Sequence, residues 1–257
     1  MDSKSAHRSV QPKKLSFQLL EEITDNFSEE LILGRGGFGV VYKGKYRSGE
    51  EIAVKMLNPM KELDDKRFWN EFQNLTRLKH PNIVELVGFC NETEKKTKLF
   101  NGRPVTAEEI HRALCFEYMH NGNLRKHLTD PHQGLDWHTR FNIIKGVCDG
   151  LRHLHKELEA PIYHLDLKPD NILLDKNMVP KIADFGLSRL FGNENTQKTL
   201  SSLGGTRGYM PPEYIRDKIV SGAFDIFSLG VIIIKIMMGP TGYYQVDDME
   251  ASEFIEF

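Results

Sequence analysis

Apolar residues along this chain change their spacing several times, and the changes divide it into stretches of different architecture. Behind a polar tail over residues 1–14, Phe17, Leu20, Ile23 and Phe27 recur at helical intervals with Glu21 and Glu22 between them, which predicts a short amphipathic helix. Over 31–57 the spacing becomes that of strands, broken by glycines and by the turn residues Arg47-Ser48-Gly49-Glu50. Helical spacing returns over 64–78, where Phe68, Phe72, Leu75 and Leu78 share a face. Two further strands are predicted around 83–89 and 113–118. The polar stretch between them, 91–112, is longer than a hairpin loop and reads as a surface excursion.

From Asp136 the chain changes character. Phe141, Ile144, Cys148, Leu151 and His155 predict a long amphipathic helix that ends near Pro161. Residues 193–202 are rich in Asn, Thr and Ser and read as a flexible loop. Residues 225–238 are apolar on nearly every side, the pattern of a helix buried in the centre of a lobe. A strand-rich first part and a helix-rich second part predict two lobes joined near 118–122, with the cleft between them a natural place for a ligand.

The length of 257 residues suits one large domain or two lobes, and 40% hydrophobic with 27% charged residues is ordinary for a soluble protein. A net charge of −2 with scattered basic residues argues against nucleic-acid binding. Cys90, Cys115 and Cys148 sit in apolar settings and read as small buried hydrophobes in a reducing compartment. The polar N-terminus lacks the apolar run of a secretory signal, Asp2 breaks the myristoylation pattern, and the apolar run at 229–238 is too short to span a bilayer. A soluble, cytoplasmic chain without a membrane segment is expected.

Candidate chemistry lies in an ordered set of short motifs. Gly34-Arg35-Gly36-Gly37-Phe38-Gly39 is followed by Val40-Val41-Tyr42, a strand-forming run, so Gly34, Gly36 and Gly39 are expected in a hairpin whose amides can approach phosphate oxygens. Dinucleotide-binding folds use the same glycine spacing, but no parallel strand–helix alternation follows here. Lys55, in Ile52-Ala53-Val54-Lys55, has apolar neighbours that bury its stem, and its ammonium needs an anionic partner. Glu71 shares the inward face of Phe68 and Leu75 and is the first candidate, with Glu62 the fallback. In His164-Leu165-Asp166-Leu167-Lys168-Pro169-Asp170-Asn171, Asp166 is the candidate base, Lys168 can neutralise phosphoryl charge, and Asn171 offers an amide oxygen to a metal ion. Asp184, in Asp184-Phe185-Gly186 after a short apolar run, supplies a hard carboxylate for Mg²⁺.

With these residues and Pro211-Pro212-Glu213 in place, the chain resembles the eukaryotic protein kinase family over 31–238. More narrowly it resembles plant receptor-like serine/threonine kinases of the Pelle type. The narrower likeness rests on Asn82-Ile83-Val84-Glu85-Leu86-Val87-Gly88-Phe89-Cys90, on Phe116-Glu117-Tyr118-Met119-His120-Asn121-Gly122-Asn123-Leu124, on Leu135-Asp136-Trp137 and on the prelude from Leu15 to Ser28. It implies an α+β, bilobal fold: a tail and short helix over 1–30, then a kinase domain over 31–257. Within that domain a β-rich N-lobe is expected at about 31–118 and an α-helical C-lobe at about 122–257.

The same resemblance implies an ATP site that takes in Leu33, Gly34, Gly36, Gly39, Val41 and Lys55. Adenine would bond the backbone near Glu117 and Met119, with Phe116 as gatekeeper, and Mg²⁺ would sit on Asn171 and Asp184. Leu75, Leu86, His164 and Phe185 would stack as a spine anchored by Asp225. Lys168, together with a Thr206 that contacts Asp166 and Lys168, fits transfer to serine and threonine. Thr196, Thr199, Ser201 and Ser202 are candidate phosphorylation sites. The implied partners are protein substrates and a partner kinase or receptor, with a longer receptor form at the plasma membrane as the alternative to a cytoplasmic chain.

Two departures from the family pattern stand out. Leu165 replaces the usual arginine that pairs with a phosphorylated activation loop, so weak dependence on loop phosphorylation and low turnover are expected. The family's C-lobe also continues beyond the position of Phe257, so the C-lobe reads as incomplete. On that reading Glu213 is a buried carboxylate without its arginine, and the underside of the 225–238 helix is apolar and exposed. A truncated, non-catalytic module that binds nucleotide or a partner is the rival expectation.

Overall fold

The glycine-punctuated strands at 31–57 do form a sheet in the computed structural model, which describes residues 11–37, 39–58, 61–100, 103–130, 134–191, 198–199 and 204–247. Residues 1–10 of the expected tail, Phe38, Thr196, Ser201, Ser202, the side chains of Glu62 and Thr199, and residues 248–257 of the expected C-lobe lie outside the described part. The chain divides into two compact units, 1–64 with 85–117, and 65–84 with 118–257.

The first unit is built on a six-stranded sheet of order β1-β5-β6-β4-β3-β2. Its strands are β1 (Lys13–Lys14), β2 (Ile32–Gly36), β3 (Gly39–Lys45), β4 (Glu51–Leu57), β5 (Leu86–Phe100) and β6 (Arg103–Glu117). All neighbours are antiparallel except β1, which pairs parallel with β5 through Lys13↔Gly88 and Lys14↔Phe89. Lys13 and Lys14 were expected in the tail. Burial of Leu15, whose N–H donates to the Phe89 carbonyl at 2.8 Å, draws them onto the sheet edge instead.

Helix α1 (Phe17–Ile23) starts at Ser16, whose Oγ accepts from the Leu19 N–H at 3.2 Å, and it buries Leu20 and Ile23 against Ile52, Val54, Cys90, Ala113 and Cys115. Phe27 falls outside it, in a run of three left-handed residues, Asp25 to Phe27, yet still stacks on Phe17. Burial pushes the Cys90 and Cys115 thiols up to about 12, which makes them inert core residues.

Among its described residues, the polar stretch at 91–112 is strand and not loop. Strands β5 and β6 run through it as one antiparallel ladder from Leu86↔Phe116 to Phe100↔Arg103. Opposed charges such as Lys95 and Glu108, and the facing Thr97 and Thr106 hydroxyls, support its register.

The second unit is mainly helical. Its helices are α2 (Lys61–Leu75), which begins in the first unit, α3 (Leu124–Thr129), α4 (Trp137–Arg152), α5 (Pro212–Asp217) and α6 (Ala223–Asp247). Helix α6 is kinked at Gly239, where φ is 64°. Six short strands pair locally: β7 (Ile162–Tyr163) with β10 (Arg189–Leu190), β8 (Ile172–Leu174) with β9 (Pro180–Ile182), and β11 (Lys198–Thr199) with β12 (Ile219–Val220).

The packed face of α4 is not the stripe its apolar residues suggest. Phe141 is exposed, and Ile143, Gly146, Val147, Gly150 and Leu151 are buried. The reason is glycine. A Cβ on Gly146 would come within 2.6 Å of the Asn82 amide nitrogen and 2.5 Å of Pro180, so the closest approach runs over glycines that an apolar periodicity does not count. Among the described residues no helix is long and apolar enough to cross a membrane.

Candidate active site

The loop between β7 and β8 is shaped by a single buried carboxylate. Asp225, near the start of α6, accepts the His164 N–H on Oδ2 and the Leu165 N–H on Oδ1, both at 2.8 Å, and lies 2.7 Å from His155 Nε2. Two successive amides drawn to one group turn the backbone into the left-handed region at Leu165, where φ is 64°. The Leu165 side chain is fully buried among Tyr163, Phe191, Tyr214, Val220 and Phe224. His164 Nδ1 faces the Asp166 N–H at 3.3 Å and Nε2 faces the Ala183 carbonyl at 2.9 Å, which fits a neutral ring with its proton on Nε2.

This loop presents Asp166, Lys168 and Asn171 together. Thr206 donates its hydroxyl to Asp166 Oδ1 at 2.7 Å and accepts from Lys168 Nζ at 2.7 Å, while Lys168 Nζ lies 3.0 Å from Asp166 Oδ2. Asn171 Nδ2 donates to the Asp166 carbonyl at 2.8 Å and to Oδ2 at 3.2 Å. The amide nitrogen is thus committed to Asp166, and the donor atom Asn171 can offer a cation is Oδ1. Asp166 is 7% exposed, so its carboxylate is desolvated but held by charged and polar neighbours.

Asp184 is tied to the same loop through its neighbour. The Ala183 N–H donates to the Asn171 carbonyl at 2.8 Å, and Asp184 itself is left-handed at φ 65°. Phe185 is fully buried with its ring edge-on to His164 at 5.0 Å. Behind it, Ser188 Oγ donates to the Phe185 carbonyl at 2.6 Å and accepts from Asn74 Nδ2 at 2.8 Å, while Asn70 Nδ2 reaches the Ser188 carbonyl at 3.0 Å. Glu71, 2% exposed, lies on α2 between those two asparagines.

In the first unit, Gly36 pairs with Gly39 and Gly34 with Val41 in the β2–β3 hairpin. A Cβ on Gly34 or Gly36 would meet nothing, leaving bare backbone, whereas a Cβ on Gly39 would overlap the Met56 carbonyl. Leu33 is 47% exposed on the same hairpin. Lys55, 8% exposed, lies opposite Val41 on β4. The Glu117 side chain accepts the Glu85 N–H at 2.9 Å. Lys55 and Glu117 belong to the first unit, and Glu71, Met119 and the Asp166 network to the second.

Residues 27–256 match the family model described as Protein kinase domain. The chain belongs to that family. Its relatives in Arabidopsis thaliana include the G-type lectin S-receptor-like serine/threonine-protein kinase SRK, 42% identical over 226 residues that cover 87% of this chain and 25% of the relative. The receptor-like serine/threonine-protein kinase SD1-7 is 42% identical over 90% of this chain and 26% of its own length. The cysteine-rich receptor-like protein kinase 34 is 41% identical over 91% and 33%. The chain therefore spans about a quarter to a third of the length of the curated relatives it matches.

Within this kinase domain, three supports escaped the sequence reading. His155 reaches Asp225 from a π-helical turn, His153–Glu157. Asn74 and Asn70 bind Ser188, and Asn74 could have been found, since it lies one helical turn from Glu71. Arg140 supports α6 at its kink, donating Nη1 to the Ile236 and Met237 carbonyls, just ahead of Gly239, at 2.9 and 3.0 Å. Glu213 differs from expectation: it is half-buried rather than buried, in the first turn of α5, where a helix N-terminus favours a carboxylate.

Proposed function

We propose that this chain is an ATP-dependent serine/threonine protein kinase domain. The reading is carried by the hydrogen-bonded set of Asp166, Thr206, Lys168 and Asn171. Asp166 orients the substrate hydroxyl and takes its proton. The hydroxyl oxygen forms a bond to the γ-phosphorus as the bond to the β-phosphate oxygen breaks, and ADP leaves. Lys168 offsets charge on the transferring group, and Thr206 holds both side chains so that a short serine or threonine hydroxyl can meet them. Asn171 Oδ1 and the Asp184 carboxylate suit Mg²⁺, which would neutralise phosphate charge when bound.

The bare backbone at Gly34 and Gly36 suits phosphate oxygens. Lys55 is assigned to phosphate, with Glu71 its ion-pair partner. Leu33, Val41 and the backbone near Glu117 and Met119 are assigned to the adenosine. Protein hydroxyls are the substrates and the cytoplasm the site of action, with a partner kinase or receptor upstream. Leu165, buried among aromatic side chains, carries no charge for a phosphorylated loop, which supports activity with weak dependence on such phosphorylation.

The test is transfer from labelled ATP with Mg²⁺ to matched peptides whose acceptor is serine, threonine or tyrosine. Label on serine and threonine peptides, abolished in Lys55→Met, is expected. Label on tyrosine alone would contradict the assigned specificity, and unchanged turnover in Lys55→Met would place the phosphate clamp elsewhere.

A further inference from the structure

Strands β5 and β6 carry a second cluster of ligating groups, separate from the site above. Register opposes Glu94 to Glu109 and Glu92 to His111, and side chains alternate between faces along a strand. Glu92, Glu94 and Lys96 therefore share a face with Glu109 and His111. Two carboxylates directly opposite one another repel. Here they converge on one ammonium, Lys96 Nζ, at 3.1 Å from Glu94 Oε2 and 2.8 Å from Glu109 Oε2. One ligand atom from each of Glu94, Glu109 and His111 lies within 4.8 Å of the other two.

His111 supplies the independent observation. It is only 9% exposed, and its ring stacks on Phe17 with centroids 3.7 Å apart and planes 14° apart. Its Nε2 is buried and makes no hydrogen bond. The nearest carboxylate oxygen, Glu94 Oε2, stands 3.4 Å away, close enough for attraction but off the direction of a hydrogen bond. A buried nitrogen left without a hydrogen bond calls for an explanation, and this one is aimed at two converging carboxylates.

We propose that Glu94, Glu109 and His111 bind a divalent transition-metal ion of the Zn²⁺ type. One imidazole nitrogen with two carboxylate oxygens suits Zn²⁺, whereas Mg²⁺ and Ca²⁺ take all-oxygen sets. Both glutamates are at the surface and can rotate to close on an ion at about 2.0–2.2 Å. Lys96, with 41% of its side chain exposed, gives up its place by swinging into water. The ion would link β5 to β6 and, through the Phe17 ring, to α1.

Titration calorimetry of the full chain with Zn²⁺, in buffer free of magnesium, tests this. One site is expected, weakened at least about tenfold in His111→Gln and in Glu109→Gln. Lys96→Gln removes the competing ammonium and is expected to strengthen binding several-fold, a gain that misfolding cannot mimic. Cobalt in place of zinc is expected to give a visible absorption band that is lost in His111→Gln. Uptake that is equal in the parent, His111→Gln and Lys96→Gln would assign the ion to other groups and overturn the proposal, as would absence of uptake by the folded chain.

Discussion

Leu165 occupies the one place in the β7–β8 loop where side chain and backbone make opposite demands. Its amide and that of His164 are held by Asp225, which fixes φ at 64°, a region costing an ordinary residue about 1–2 kcal/mol. Burial among Tyr163, Phe191, Tyr214, Val220 and Phe224 offsets that cost. Leu165→Ala keeps the strain and loses the packing, so a loss of about 2–4 kcal/mol is expected. Leu165→Gly loses the same packing but relieves the backbone, and it should be no less stable than Leu165→Ala, against the usual ranking of the two residues. Trp69 and Trp137, the chain's two tryptophans, both lie in the second unit, so urea unfolding followed by their fluorescence reports on the part that matters. A glycine variant well below the alanine variant would show that Asp225 does not hold the left-handed turn.

Helix α4 shows how an element's end can be set by one exposed residue. Asp136 accepts the Thr139 N–H on Oδ1 at 2.7 Å, and that backbone hydrogen bond holds its carboxyl below the usual carboxylate range. A carboxyl lowered in the folded state contributes stability above its ordinary pKa and loses it as pH falls through the lowered value. Asp136→Asn keeps a cap without the titration. The stability difference between parent and variant, read from urea midpoints by circular dichroism, should therefore change only in the acid range and stay flat near neutrality. A difference that varied between pH 6 and 8 would assign the effect to another group.

The same helix shows where sequence reading stops. The helix itself was legible from the change of character at Asp136 and the apolar spacing after it, but its packed face was not, because Gly146 and Gly150 carry the contact. The reach of β5 and β6 was hidden for a related reason: cross-strand charge pairs replace the apolar alternation that marks a strand. By contrast, Asp166, Lys168 and Asn171 were legible because they lie within six residues of one another. Their supports were not. Asn74 and Ser188 are 114 positions apart, and His155 and Asp225 are 70 apart, distances over which no local pattern speaks.

At the scale of the whole molecule, two compact units hold different parts of the proposed chemistry. The sheet unit carries the bare glycine hairpin and Lys55, assigned to phosphate. The helical unit carries Asp166 with Thr206, Lys168 and Asn171, assigned to the hydroxyl. Binding and proton transfer should then respond separately to substitution. The most direct measurement is a single-turnover reaction of the full chain with Mg²⁺, labelled ATP and a serine peptide, run beside Asp166→Asn with nucleotide affinity measured on both. With Asp166 as the base, transfer falls by roughly 10²–10⁴-fold while nucleotide affinity is kept within a few-fold. Equal transfer in the two proteins, each shown to be folded, would contradict the role of Asp166.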